Sequence, residues 1–403
     1  MMMVFLAWLG LLFFFLITSP FNSSSALTSS HFPSHLPLCH PHESSALLHF
    51  ENSLSITNDT SYFSSCSYWY GINNPNSTVY WNMSRDCCTW SGVTCDEVSG
   101  HVVRLDLGCG GLHGIIHSNN SLFLLTHLQS LVLFFNYLVG SEISPQFGRF
   151  SSMIHLDLSD SGFTGQLPLE FSYLSSLVTL DLSYSDLRLE TSSLKRIVAN
   201  LTSLKELRLS RVHMFFASPN SFMNLSTSLT SLDLSDSGLT GEFPENIFHL
   251  PRLQNLDLSY NRNLNGSFPQ YNWSSQLRNL NLSETGFLID LPYLTKTLKS
   301  LNTLFLSSCK LRGLSPPLLG NLTQITSLDL SSTNVGGQIP WSFLNLEKLT
   351  HLDLAAEASI FGSSKDLEED DVVEPALAQE GGEGQTSKQR KTESLDKFRR
   401  EDA

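Results

Sequence analysis

Six of the seven cysteines lie before residue 110, and they carry the most obvious chemistry in the sequence. An even set of closely spaced cysteines predicts a disulfide framework, which forms in oxidising compartments. Cysteine zinc sites use paired CxxC spacing, and this cluster lacks it. We therefore predict disulfides rather than a metal site. The six residues are Cys39, Cys66, Cys87, Cys88, Cys95 and Cys109.

The spacing of these cysteines favours one pairing. Two of them enclose a short loop near residue 90 and form the most favoured pair. A second pair is the next best guess, and it leaves the third. Six cysteines permit fifteen connectivities, so the pairing is a hypothesis. The favoured pairs are Cys88–Cys95, Cys39–Cys87 and Cys66–Cys109.

Sequons of the form Asn-x-Ser/Thr recur along the chain and predict a glycoprotein. A chain rich in Asn, Ser and Thr produces several by chance, but eleven is dense. The first sequon, at Asn22, lies close to the N-terminus. The other ten are predicted glycosylation sites: Asn58, Asn76, Asn82, Asn119, Asn200, Asn224, Asn265, Asn272, Asn281 and Asn321.

The sequence contains no pattern that is typical of catalysis. The motifs HExxH, GxSxG and GxxxxGK[ST] are all absent, and the thirteen histidines are scattered without metal-ligand spacing. We therefore predict no enzymatic activity, no cofactor and no metal. The net charge of −14 also argues against a nucleic-acid partner.

An apolar run of fourteen residues, from Val4 to Ile17, predicts a targeting signal. The run is too short to span a bilayer comfortably, and small polar residues follow it as at a cleavage site. A basic segment before the run is missing, because the first Lys or Arg is Arg85. We predict a signal peptide at residues 1–26, with an uncleaved signal anchor as the alternative.

The motif LxxLxL recurs ten times with spacings of 24 to 27 residues, most of them 24. A fixed period near 24 with this motif is the signature of leucine-rich repeats. Its fourth and sixth positions face the interior of a stack of coils, and the residue between them faces outward. The motifs begin at Leu128, Met153, Leu177, Leu204, Leu229, Leu253, Leu277, Leu301, Ile325 and Leu349.

These repeats predict an α/β solenoid, a leucine-rich-repeat superhelix with a parallel β-sheet on its concave face. Most units continue to an LxGxIP-like ending, as in GLTGEFP, which ends at Pro244. The position after LxxLxLxx holds Asn136 and Asn261 and elsewhere mostly hydroxyl residues, which predicts a hydrogen-bonded ladder. Cys309 falls on this ladder. The long unit from Ser183 to Leu204 predicts a helical turn on the outer face.

Residues 39–110 contain the core motif CCxWxGVxC, from Cys87 to Cys95, within WNMSRDCCTWSGVTCDEVSGHVVRLDLGCGGLHG. This segment resembles the disulfide-bonded N-terminal cap of plant leucine-rich-repeat proteins. Residues 1–354 as a whole resemble the plant disease-resistance receptor-like proteins. The resemblance implies an extracellular array, a transmembrane helix and no kinase domain. It also implies perception of microbial molecules or peptides, with signalling through a co-receptor kinase.

Four segments follow from these patterns: a signal peptide at 1–26, a cap at 27–110, about ten repeats at 111–354 and a disordered charged tail at 355–403. Within the cap, Ala46, Leu47, Leu48 and Phe50 predict a helix that starts at Ser44–Ser45 and covers the first coil. An aromatic-rich insert at 59–80 is a second candidate for contact with ligand. The expected location is the apoplast or the cell surface.

The array stops after Leu354, and the tail lacks the further repeats, closing cap and membrane helix of the family. The chain therefore looks like a truncated receptor or a soluble decoy, and the last coil is predicted to cover its leucines poorly. Two alternatives stay open. One is a secreted inhibitor of a microbial cell-wall-degrading enzyme, similar to the polygalacturonase-inhibiting proteins. The other is a fragment without independent function.

The predicted binding surface is the concave sheet, which would take an extracellular peptide, protein or glycan. Six aspartates form an acidic stripe there, although LDLS is also the ordinary strand motif. Residues that break this motif are more informative, because exposed aromatic and Arg side chains are typical interface anchors. They are Phe134, Phe135, Tyr184, Arg208, Arg211, Tyr260 and Phe305, with the Phe134–Phe135 pair preferred.

Overall fold

The computed structural model describes residues 38–57, 59–72, 81–269, 275–313, 316–333 and 341–355. The predicted signal peptide, almost all of the predicted tail and four sequons (Asn22, Asn58, Asn76 and Asn272) lie outside these ranges. The helices described are α1 (Pro41–Asn52), α2 (Thr60–Tyr70), α3 (Thr191–Asn200) and α4 (Leu291–Thr297).

Short strands alternate with short 3-10 helices along the described chain. The strands are β1 (Ser55–Ile56), β2 (Val93–Cys95), β3 (Val102–Asp106), β4 (Leu112–His113), β5 (Ser130–Val132), β6 (His155–Asp157), β7 (Thr164–Gln166), β8 (Thr179–Asp181), β9 (Asp186–Arg188), β10 (Glu206–Arg208), β11 (Ser231–Asp233), β12 (Gly241–Glu242), β13 (Asn255–Asp257), β14 (Leu264–Asn265), β15 (Asn279–Asn281), β16 (Leu288–Asp290), β17 (Thr303–Phe305), β18 (Lys310–Arg312), β19 (Ser327–Asp329) and β20 (His351–Asp353). The 3-10 helices are Cys87–Thr89, Ser121–Leu124, Pro145–Arg149, Leu169–Tyr173, Pro219–Asn224, Glu245–His249, Pro316–Asn321 and Trp341–Asn345.

One long sheet forms the inner face of the described chain, in the order β2-β3-β5-β6-β8-β10-β11-β13-β15-β17-β19-β20. β2 runs antiparallel to β3, and all later neighbours are parallel. Central leucines lie side by side, as Leu232 does with Leu256. The strands from β5 to β20 in this sheet correspond to the ten LxxLxL motifs, which confirms the predicted solenoid.

Burial follows the alternation that the motif predicts. Leu232 and Leu234 are 1% and 0% exposed, whereas Asp233 between them is partly exposed. One coil cannot cover its own leucines, so each buries them against its neighbours. In the last described strand, β20, Leu352 is 39% exposed, while its counterpart Leu328 in β19 is 1% exposed.

The outer face is made of 3-10 helices and two α-helices. The long unit after Ser183 forms α3, as predicted. Its apolar residues Leu194, Ile197, Val198 and Leu201 recur at helical spacing and are buried against the coils. Small two-stranded sheets, including β7–β9, β12–β14 and β16–β18, line the lateral face after the inner strands.

A ladder of polar side chains runs through the interior, as predicted. Asn136 donates from Nδ2 to the carbonyls of Leu107 and Leu133, and its Oδ1 accepts from the Leu112 N–H. Where the ladder position holds Ser or Thr, the hydroxyl donates to a leucine carbonyl instead. Cys309 fits the same role, because its buried thiol donates to the Leu282 carbonyl.

Three disulfides hold the N-terminal cap together. The pairs are Cys39–Cys87, Cys66–Cys109 and Cys88–Cys95, which is the favoured pairing. Helix α1 covers the first coil as expected, and the Ala46 carbonyl accepts from the Ser121 hydroxyl. The predicted start of α1 was wrong by one turn. The helix begins at Pro41, because proline is well suited to the first helical position, where the missing N–H has no partner to lose.

Candidate functional site

The inner sheet presents two outward columns of side chains, one on each side of the central leucine of every strand. Five aspartates of the second column bind the turn that follows their own strand. Asp157 Oδ1, for example, accepts from the Ser159 N–H at 3.0 Å and from the Ser159 hydroxyl at 2.6 Å. The same contact to the serine two residues later occurs at Asp181, Asp233, Asp257 and Asp329.

The aspartate stripe is therefore built into the folding of the turns, as the LDLS motif suggests. Burial is the main cause of a raised pKa for Asp157, to about 6, and the neighbouring Asp181 carboxylate adds to it. Burial also raises the pKa of Asp181 and of Asp257. Because these carboxylates are partly desolvated and already accept hydrogen bonds, the stripe attracts a cationic ligand less strongly than its formal charge implies.

A shallow depression of about 240 Å³ lies on the sheet between β10 and β17. Two side-chain hydrogen bonds cross it: Asn279 donates to Asn255 at 2.6 Å, and Asn281 donates to Asp257 at 2.9 Å. Two predicted contact residues, Arg208 and Phe305, stand at its two ends. Arg208 is held by Glu206 at 2.9 Å and by Asp181 at 3.6 Å, so its guanidinium is pre-positioned.

A second set of predicted residues forms a rim at the carboxyl ends of the strands. Tyr184, Arg211 and Tyr260 each occupy the left-handed backbone region, with φ of 56°, 60° and 61°. Each backbone N–H donates to a carbonyl of the next coil, so the side chains stack as one column. We call this column the rim; its other members are Phe135, Asp160, Asp236, Glu284, Ser308 and Ser332.

The rim carries contacts that suit recognition. Arg211 lies over the Tyr184 ring at 5.2 Å and places Nε 3.0 Å from Asp236 Oδ2. Tyr184 and Tyr260 are 44% and 56% exposed. Aromatic and Arg side chains that are held in place but remain accessible lose little entropy on binding, which makes them effective anchors.

The preferred pair, Phe134 and Phe135, is less accessible than the sequence suggests. Both are half-buried, because α2 of the cap crosses over them. Tyr70 lies 5.1 Å and 5.0 Å from the two rings, and the Tyr62 hydroxyl donates to the Phe135 carbonyl. The Phe134 ring also packs on Gly108, where a Cβ would collide with it.

Tyr70 belongs to the aromatic-rich 59–80 insert, the second predicted candidate for contact with ligand. It is 42% exposed, and its hydroxyl donates to Asp160 Oδ2 of the rim at 2.9 Å. Burial and the adjacent Asp160 charge raise the pKa of Tyr70 well above its usual range. The aromatic content of the 59–80 insert is visible in the sequence. No local sequence pattern, however, shows that helix α2 of this insert extends to the rim.

The described sequons fall into two groups. Asn281 differs from the rest, because it lies in β15, is half-buried and uses Nδ2 in its bond to Asp257. A glycan on Asn281 would occupy the depression. The others are exposed and lie outside the inner sheet: Asn82, Asn119, Asn200, Asn224, Asn265 and Asn321.

Comparison with known families agrees with the fold. The family models described as leucine-rich repeat match residues 202–264, 300–322 and 324–346. The crystal structure of PEPR1-AtPEP1 aligns with a TM-score of 0.57 at 27% identity, covering 77% of this chain and 41% of that one. A plant ice-binding protein shares the fold, with a TM-score of 0.60 at 24% identity, covering 80% of this chain and 100% of that one. The chain therefore has the leucine-rich-repeat fold, and the family models match several of its repeats.

Within that class the sequence is similar to plant receptor-like proteins. It is 38% identical to Receptor-like protein 9DC1 of Solanum pimpinellifolium over 66% of this chain. It is 40% identical to Receptor-like protein Cf-9 of the same species over 65%, and 36% identical to Receptor-like protein 6 of Arabidopsis thaliana over 66%. The chain spans 30%, 30% and 27% of their respective lengths. Among the described residues, no helix has both the length and the apolar composition needed to cross a bilayer.

Proposed function

We propose that this chain recognises an extracellular ligand with its inner sheet and rim. The observation that carries the proposal is the rim, where Tyr184, Arg211 and Tyr260 stand in one exposed column. Other turn residues of the same column are small or acidic, as Ser308, Ser332 and Asp236 are. Large aromatic and cationic side chains in their place favour a binding role.

The relatives support recognition rather than catalysis. They are named receptor-like proteins, and the PEPR1-AtPEP1 structure has the same solenoid. An extended peptide fits the shape best, because it can run along the rim while Arg208 and the amides of the depression bind its carbonyl groups or a carboxylate. The aromatic rings also suit a glycan, which remains the alternative ligand class.

The finer part of the proposal is a role in plant defence, with signalling through a partner kinase. It rests on the resemblance of the cap and repeats to disease-resistance receptor-like proteins. The seven predicted contact residues and the predicted glycosylation sites belong to the same proposal. Since the chain spans less than a third of its relatives' length, we propose kinase partnership only for the longer form of such a protein.

A selection experiment tests the recognition proposal. The secreted, disulfide-bonded chain is screened against a random peptide display library and against a glycan array, and hits are measured by titration calorimetry. Tyr184→Ala with Arg211→Ala should weaken binding at least tenfold. Tyr173→Ala is the matched control, because this tyrosine is 57% exposed on the outer face. Equal affinity of the rim variant and the wild type, or no hit in either library, contradicts the proposal.

A further inference from the structure

A stack of three histidine rings lies at the opposite end of the inner strands from the rim. His101 stands directly before β3 and His127 stands three residues before β5, while His40 caps α1. Ring centroids are 3.9 Å apart between His40 and His101, and 3.6 Å apart between His101 and His127. Nothing in the proposed recognition of a ligand uses these residues.

The stack surrounds a buried carboxylate. Glu43 in the first turn of α1 is 6% exposed, and its Oε2 accepts from the Val102 N–H at 2.8 Å. Its other oxygen, Oε1, lies 3.1 Å from His101 Nδ1 and 3.4 Å from His127 Nδ1. In the part of the chain that the structure describes, these two histidines are the basic partners of Glu43. A buried carboxylate needs hydrogen-bond or ionic partners, and here the two imidazole rings and the Val102 N–H surround it.

The three atoms have the spacing of metal ligands. One carboxylate oxygen of Glu43 and one ring nitrogen of each histidine all lie within 4.8 Å of one another. An ion about 2.1 Å from each of three ligands in tetrahedral geometry separates them by roughly 3.4 Å. The observed separations of 3.1 Å and 3.4 Å are close to that value. The Val102 N–H already fixes the carboxylate through its second oxygen, as outer partners do in metal sites.

The three side chains differ in solvent exposure, and this difference decides which of them can move to bind an ion. Glu43 and His101 have side chains 8% and 27% exposed, whereas His127 is 51% exposed. Two parallel rings cannot aim both nitrogen lone pairs at one ion, so one ring must tilt out of the stack. His127 is the ring with room to do so. His40 is engaged elsewhere, with Nε2 2.9 Å from the Ser99 carbonyl oxygen.

We propose that Glu43, His101 and His127 form a binding site for one divalent transition-metal ion of the Zn²⁺ class. Two imidazoles and a carboxylate are a common ligand set for zinc, and the exposed side leaves room for water as a further ligand. The three residues come from three separate elements, so the ion would join α1 of the cap to the first two parallel strands. Its effect would be to hold the cap on the repeat array.

Zinc titration of the full, secreted chain tests this proposal. After treatment with a chelator, the protein is titrated with Zn²⁺ in a calorimeter at pH 7 and at pH 5, and its Tm is measured with and without the ion. We expect one equivalent to bind and to raise the Tm. Binding should weaken at least tenfold at pH 5, because the ligand imidazoles must be neutral to bind metal.

The decisive variant is His127→Gln, which changes a half-exposed side chain and keeps its size and polarity. It should lose at least tenfold in zinc affinity while its metal-free Tm stays at the wild-type value. His155→Gln is the matched control, since His155 is also exposed on the inner sheet and its Nδ1 lies beside Thr179, not a carboxylate. Unchanged affinity in His127→Gln means zinc binds other surface histidines, and this result, or no binding in the wild type, overturns the proposal.

Discussion

Replacing Asn261 with Ala should destabilise the middle of the array by about 3 kcal/mol, which is more than a typical polar substitution costs. Asn261 is 1% exposed. Its Nδ2 donates to the carbonyls of Leu234 and Leu258, both at 2.9 Å, and its Oδ1 accepts from the Leu239 N–H at 2.9 Å. The Leu234 carbonyl keeps a second donor, the Ser237 hydroxyl.

The magnitude follows from the groups that lose their partner. Alanine leaves two buried groups, the Leu239 N–H and the Leu258 carbonyl, without the hydrogen bonds that Asn261 makes to them. Each unsatisfied group lowers the free energy of unfolding by roughly 1–3 kcal/mol. Asn261→Ser is a graded control that the chain itself provides, because Ser185 holds the equivalent position and donates to the Leu182 carbonyl at 2.6 Å. Serine should restore the bond to Leu258 but not the one from Leu239, so we expect about half the loss.

Urea unfolding of the disulfide-intact chain measures the free energy, and amide hydrogen exchange locates the loss. Repeat arrays unfold locally, so exchange should speed up in β11 and β13 and stay unchanged in β3 and β5. If both variants lie within about 0.5 kcal/mol of the wild type, the ladder is not what ties neighbouring coils together, and the reasoning fails.

Three further predictions concern the inner sheet and the rim. The folded-state pKa of Asp157 is raised from 3.8 to about 6, so the stability that its protonated form contributes is lost as pH rises through this range. Asp157→Asn should therefore reduce the fall in Tm between pH 4 and pH 7. An unchanged fall in Tm contradicts the assignment. Tyr70→Phe removes the hydrogen bond to Asp160, so it should lower the free energy of unfolding by about 1 kcal/mol and speed amide exchange in α2. Amide exchange in α2 at the wild-type rate would show that this bond does not hold the helix in place. Glycopeptide mass spectrometry of the secreted chain should find lower occupancy at Asn281 than at the exposed sequons, since its Nδ2 is bonded to Asp257; full occupancy would refute this.

The repeat made much of the fold predictable from sequence. A leucine at every second position of a strand, repeated every 24 residues, permits one arrangement in which all the leucines are buried, so the parallel sheet and the ladder followed directly. The helix at Thr191–Asn200 was predictable too, because its apolar residues have helical spacing. The sequence singled out the rim residues Tyr184, Arg211 and Tyr260 because they break a regular motif, and their role in binding stays a prediction.

Only the tertiary structure decided which residues meet across the cap. The sequence placed Phe134 and Phe135 first among the predicted contact residues; the structure adds that α2 packs on both and that Tyr70 bonds to Asp160 of the rim. Likewise Glu43, His101 and His127 are separated by dozens of residues and show no ligand spacing. A periodic pattern reports contacts between equivalent positions of neighbouring coils. The cap has no period, so its contacts depend on how the disulfides and helices fold back onto the first coils, and the sequence carries no local record of that.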